Sequence, residues 1–125
     1  GDEQIATLRT ALNDSVPDVQ WNAAVALARH GNTQGVGILG RMLDREYVER
    51  VAEPTMGVGS DEVDRVGEVM ITGLNAIAAL NAISFRDSVL QLSRQDESLR
   101  VRQAAIEALA AFDAGDDRPE GRVRR

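Results

Sequence analysis

The stretch Val19 to Gly31, VQWNAAVALARHG, is apolar enough to be a buried helix, yet its central positions are mostly alanine. The same arrangement recurs twice. VQWNAAVAL from Val19, TGLNAIAAL from Thr72 and VRQAAIEAL from Val101 superpose without gaps, with alanine at the fifth and eighth places and leucine at the ninth. Ala23 and Ala26, Ala76 and Ala79, and Ala105 and Ala108 are the recurring pairs, followed by Leu27, Leu80 and Leu109. Offsets of four, seven and eight share one helical face, so three helices with a small-residue seam are predicted. Between them lie segments with apolar residues three and four apart: Ile5, Leu8 and Leu12; Val36, Leu39 and Leu43; and Val89 and Leu92. These predict partner helices, about six helices in all.

The three alanine-rich segments are 53 and 29 residues apart. A unit of 29 residues fits two short helices and their turns, and the longer interval fits the same unit carrying an insertion, placed at about residues 45–66. Shifting Val36 and Leu39 by 53 lands on Val89 and Leu92, which sets the second helices in the register of the first. Local punctuation agrees with this division. Asp14 or Ser15 before Pro17 is a helix start, Gly31-Asn32 a stop, Thr33 a cap for the next helix, and Asp96 to Ser98 a cap for the last. Glu53 to Asp61 holds a proline and two glycines and reads as a loop, with Ser60 or Asp61 restarting a helix. Residues 1–112 are expected to form one domain, and residues 113–125 a disordered tail with no apolar period.

Small side chains on one helical face let a neighbouring backbone come close, which is what stacked helical hairpins require when each layer touches only the next. The fold expected is all-α, a short right-handed α-solenoid of antiparallel hairpins. Trp21 is expected to cover the adjacent layer. Thr72 to Ile83, apolar nearly all round, is expected at the centre. The three segments resemble the short bacterial HEAT-like repeat of the phycobilin lyases, whose pattern runs Asp, Val-Arg, Ala-Ala, Ala-Leu and then Gly-Asp or Gly-Asn. Asp18, Val19, Ala23, Ala24, Ala26, Leu27, Gly31 and Asn32 fit it, as do Val101, Arg102, Ala104, Ala105, Ala108 and Leu109, whereas Gln20 and Gly73 stand where arginine is expected. The resemblance implies a protein-interaction scaffold, with Asp18 and Arg102 linking successive repeats at the turns. Its alternative implication is an accessory or lyase-type subunit acting on a tetrapyrrole-bearing protein.

Composition narrows the function. With 43% apolar residues the 125-residue chain has material for a core, and with 3% aromatics that core is aliphatic. A net charge of −6 opposes a nucleic-acid partner, including a base-extruding glycosylase, which needs a basic groove with aromatics. All 14 basic residues are arginine, so Schiff-base chemistry and lysine-dependent phosphate loops are excluded. No cysteine is present to serve as nucleophile or zinc ligand. The longest apolar region, Val69 to Ile83, is too short and too interrupted to span a bilayer.

No residue set points to catalysis or to a cofactor. His30, the single histidine, precedes the Gly31 turn and suits a helix C-terminus better than a metal or a proton relay. Asp61, Glu62 and Asp64 are placed for helix capping, Asp116 and Asp117 for solvation, and Gly57 to Ser60 lacks the strand and lysine of a phosphate cradle. The binding candidates are Arg41 and Arg94, also 53 apart, with Arg9 near the matching place on the first helix. Second helices line the concave side of a solenoid, so these arginines would form a row there for an acidic protein or peptide. The insertion with Tyr47 is the other candidate; a plainer reading has Tyr47, Val48 and Val51 extending the preceding helix. The expected function is non-catalytic protein binding by the concave face or the insertion. Apolar edges at Ile5, Leu8 and Ile106 further predict weak self-association or membership of a longer array.

Overall fold

The computed structural model describes residues 2–52 and 64–116, all helices and short connections. Among the described residues there are seven helices, in order α1 (Asp2–Ala11), α2 (Pro17–Arg29), α3 (Val36–Met42), α4 (Arg45–Val51), α5 (Arg65–Ala79), α6 (Arg86–Gln95) and α7 (Leu99–Asp116), with a 3-10 turn at Ile83–Phe85 before α6. The alanine-rich helices α2, α5 and α7 form one layer, in which α5 packs between the other two. Helices α1, α3 and α6 pair with them as the second layer. This is a small HEAT-like α-solenoid, as the apolar pattern predicts.

The added helix is α4. Asp44 interrupts what would otherwise be one continuous second helix, because its carboxylate accepts the Tyr47 N–H at 3.3 Å and caps a new start. Residues 45–51 therefore form a helix of their own rather than an extension of α3. Of the insertion expected at 45–66, residues 53–63 lie outside the described residues, among them the loop and capping candidates Glu53 to Asp61 and Glu62. Asp64 caps α5 through the Gly67 N–H at 3.0 Å.

The core is aliphatic and runs through all the layers: Leu27, Leu39, Val48, Leu74, Ile77, Val89 and Phe112 are wholly inaccessible. Ala23, Ala76 and Ala105 are buried, as the seam requires, while Ala26 is half-buried and Ala79 exposed. That inequality marks a difference in register. Helices α2 and α5 end alike: the amides of Gly31 and Asn32 return to Ala28 and Leu27, and those of Asn81 and Ala82 to Ala78 and Ile77. Gly31 and Asn81 take the left-handed conformation that this ending demands, at φ 73° and 52°. The following helices begin at Val36 and Arg86, and their central residues Leu39 and Val89 are fully buried. Every one of these pairs is 50 residues apart, not 53.

The true equivalents of Ala23 are thus Gly73 and Ala105, all buried. At Gly73 α5 lies close against α3: a Cβ there would lie 2.8 Å from the Met42 Cβ. A shift of three residues turns a helix by almost a full turn, so the two registers share nearly the same face. The outer spacing, Val19 to Val101, is unaffected.

The helix ends depart from the expected caps in two places. Neither Asp14 nor Ser15 caps α2, which starts from Val16 with Pro17 in its first turn. Thr33 does not cap α3, whose start is at Gly35. At the far end α7 continues to Asp116, past residue 112, and residues 117–125 lie outside the described residues. Leu99 and Ile106 are exposed on α7, whereas Ile5 and Leu8 are half-buried rather than exposed.

Candidate functional site

The turns into α2 and α7 share one construction. Asp14 accepts the Val16 N–H at 2.8 Å, and the Gln20 side-chain amide reaches back to the Asp14 carbonyl. Asp96 likewise accepts the Ser98 N–H at 3.0 Å, and the Arg102 guanidinium donates to the Asp96 carbonyl at 2.8 Å. Ser98 then caps α7 through the Val101 N–H at 3.3 Å. Gln20 therefore occupies the repeat's arginine position and makes the same bond. Asp18 joins the starts of two first-layer helices, accepting from Arg65 at 2.7 Å across α2 and α5.

Among the described residues only the second turn carries a further partner. Arg45, at the start of α4, donates from Nε and Nη2 to the two Asp96 oxygens at 3.0 and 2.8 Å. Its side chain is 16% exposed and that of Asp96 3%. Asp96 is the buried charged residue among those described. Burial pushes its carboxyl toward the protonated form, but the bonds from Arg45 and the Ser98 amide, with the charges of Arg45 and Arg102, outweigh that and hold it below the usual carboxylate range. The hydrogen bond to Asp96 in turn raises Arg45 above its ordinary value, against the desolvation that lowers it. Glu49 and Glu97 each approach Arg45 to 3.9 Å, so three carboxylates surround one guanidinium.

This pair lines a groove of about 520 Å³ between the second-layer helices, with the α3–α4 junction on one wall and α6 on the other. Asp44, Glu46 and Arg45 stand on the first wall, and Ser88, Gln91 and Gln95 on the second. Leu43 and Leu92 supply its apolar surface. A smaller hollow of about 110 Å³ lies between α2 and α5, bordered by Trp21, Asp18 and Arg65. Trp21 itself belongs to the core.

The sequence candidates fall elsewhere. Arg9 is exposed in the last turn of α1 and Arg94 in that of α6, while Arg41 borders a separate depression with Asn13 and Gln34. In the register of 50, Arg41 corresponds to Gln91 and Arg94 to Asp44, so the arginines are not equivalent in the stack. Tyr47 is half-buried against the core, with the Arg50 guanidinium 5.8 Å above its ring. His30 is exposed and forms the C-terminal cap residue of α2. Among the described residues no group of three or more His, Cys, Asp or Glu side chains is placed to hold a metal ion, and no helix is long and apolar enough to cross a membrane.

Residues 85–113, which span α6 and α7, match the family model of the HEAT repeat. The last hairpin is similar to a HEAT repeat. The two preceding hairpins extend it as a HEAT-like array, and the match carries no attribute specific to phycobilin lyases. No curated protein and no solved structure matches the chain. Sequence reasoning missed the Arg45–Asp96 pair and the groove beside it. The recurrence of Asp14, Asp64 and Asp96 at 50 and 32 residues was the available signal for Asp96 as a turn residue. Nothing in the sequence marks Arg45 as its partner.

Proposed function

We propose that the protein is a non-catalytic interaction module whose HEAT-like stack takes an extended stretch of a partner protein into the groove between the α3–α4 junction and α6. HEAT repeats are generally protein-interaction scaffolds. The observation that carries the reading is the groove itself. It is formed by second-layer helices of two successive hairpins, and it presents polar side chains from both walls around the apolar surface of Leu43 and Leu92. Such a mixture of apolar contact and directional polar groups suits recognition of a chain segment. Helix α4 takes part through Arg45 and Glu46 on one wall.

A photoreactive residue at Gln91, on the groove wall, is expected to label a partner in extract of the source cells, and one at Gln103, exposed on α7, is not. Equal labelling from both positions, or labelling from Gln103 alone, overturns the assignment.

A further inference from the structure

We infer that the groove selects an arginine-bearing extended segment. This rests on the interaction reading above and adds the chemistry of the partner. The α4 wall presents two exposed carboxylates, Asp44 and Glu46, and among the described residues neither forms an ion pair. The cation on that wall, Arg45, is committed to Asp96 and crowded by Glu49 and Glu97, so it offers little to an incoming anion. The α6 wall, with Ser88, Gln91 and Gln95, is uncharged. An acidic peptide would meet two uncompensated carboxylates here, whereas a guanidinium would bring them donors in a planar fork.

Shape supports the same occupant. Leu92, half-buried on the groove wall, provides the surface for an aliphatic stem, while the exposed carboxylates of Asp44 and Glu46 take the charged head. From Ser88 to Gln95 the α6 wall runs about 10 Å, the length of about three extended residues. The recognised element is therefore short, one or two arginines with their immediate neighbours. Arg41 and Arg94, exposed outside the groove, do not enter this recognition.

The test uses the whole chain and a fluorescent eight-residue peptide with two central arginines, beside versions carrying glutamine or glutamate there, read by anisotropy up to about 1 mM. The arginine peptide is expected to bind about tenfold more tightly than the glutamine one, and the glutamate peptide least. The double change Asp44→Asn with Glu46→Gln keeps the α4 cap acceptor and removes both charges. It is expected to weaken the arginine peptide about fivefold at low ionic strength and to flatten its salt dependence, with an unchanged melting temperature showing that the fold is retained. Equal affinity for all three peptides, indifference to the double change, or no binding by any of them overturns the inference. Gln91→Trp, which fills the groove, separates the two readings. If glutamine or glutamate peptides bind best and lose that binding in Gln91→Trp, the groove stands and its preference for arginine falls.

Discussion

The turns into α2 and α7 are made of the same parts and live in different surroundings. In both, an aspartate accepts an amide two residues ahead, and a long side chain six residues ahead returns to its carbonyl. The first turn is exposed and needs nothing more. The last is reached by the Arg45 side chain from the start of α4, and its aspartate is buried in an ion pair. The lesson is that the turn motif is a local device indifferent to charge, since Gln20 serves as well as Arg102, whereas the carboxylate is a tertiary device wherever another element covers it. Burial decides which role dominates.

The largest test of that contrast is truncation of the two aspartates. Asp96→Ala removes a buried hydrogen-bonded partner and strands Arg45, and is expected to cost about 3 kcal/mol in urea unfolding. Asp14→Ala, exposed, is expected to cost less than about 1 kcal/mol. Equal losses would show that the turn bonds, not the ion pair, carry Asp96. Next in size is a test of the register. Gly73→Ala places a Cβ 2.8 Å from the Met42 Cβ and is expected to destabilise by about 2 kcal/mol. Gly37→Ala in α3 meets nothing within 4 Å and is expected to stabilise by about 0.5 kcal/mol through helix propensity. If the two alanines behave alike, Gly73 is not the contact point between α5 and α3.

A smaller effect follows from acid. Because the folded Asp96 carboxyl titrates below the ordinary range, its contribution is complete at neutral pH and is lost as pH falls through its folded value. The stability gap between the native chain and Asp96→Asn is therefore expected to close as pH drops below about 4. A gap that stays constant down to strong acid would mean that the charge of Asp96 contributes nothing. The smallest expected effect is Gln20→Arg, within about 0.5 kcal/mol of the native chain, because the arginine makes the bond that Arg102 already makes.

The sequence carried the layer order and the outer repeat spacing, because alanine at Ala23 and Ala105, with Asp14 and Asp96, recurs in step at both ends of the array. It misled by one turn in the middle. There the seam residue is Gly73, which a search for alanine passes over, and Ala76 with Leu80 offers the same pattern three residues along. Helical periodicity cannot separate such neighbours, since both lie on nearly one face. The arginine row followed from that slip. The groove was harder to read: its key pair, Arg45 and Asp96, is 51 residues apart and is brought together by the break at Asp44, whose capping role is a local choice with distant effect.

Arg45 also determines whether the array can be regularised. An engineer who trimmed the middle unit to the length of its neighbours would delete α4 and, with it, the counter-ion of a carboxylate in a different unit. Shortened proteins of this kind should therefore be made with residue 96 already changed to a neutral turn former, since the extra helix has become indispensable to a turn it does not adjoin in the chain.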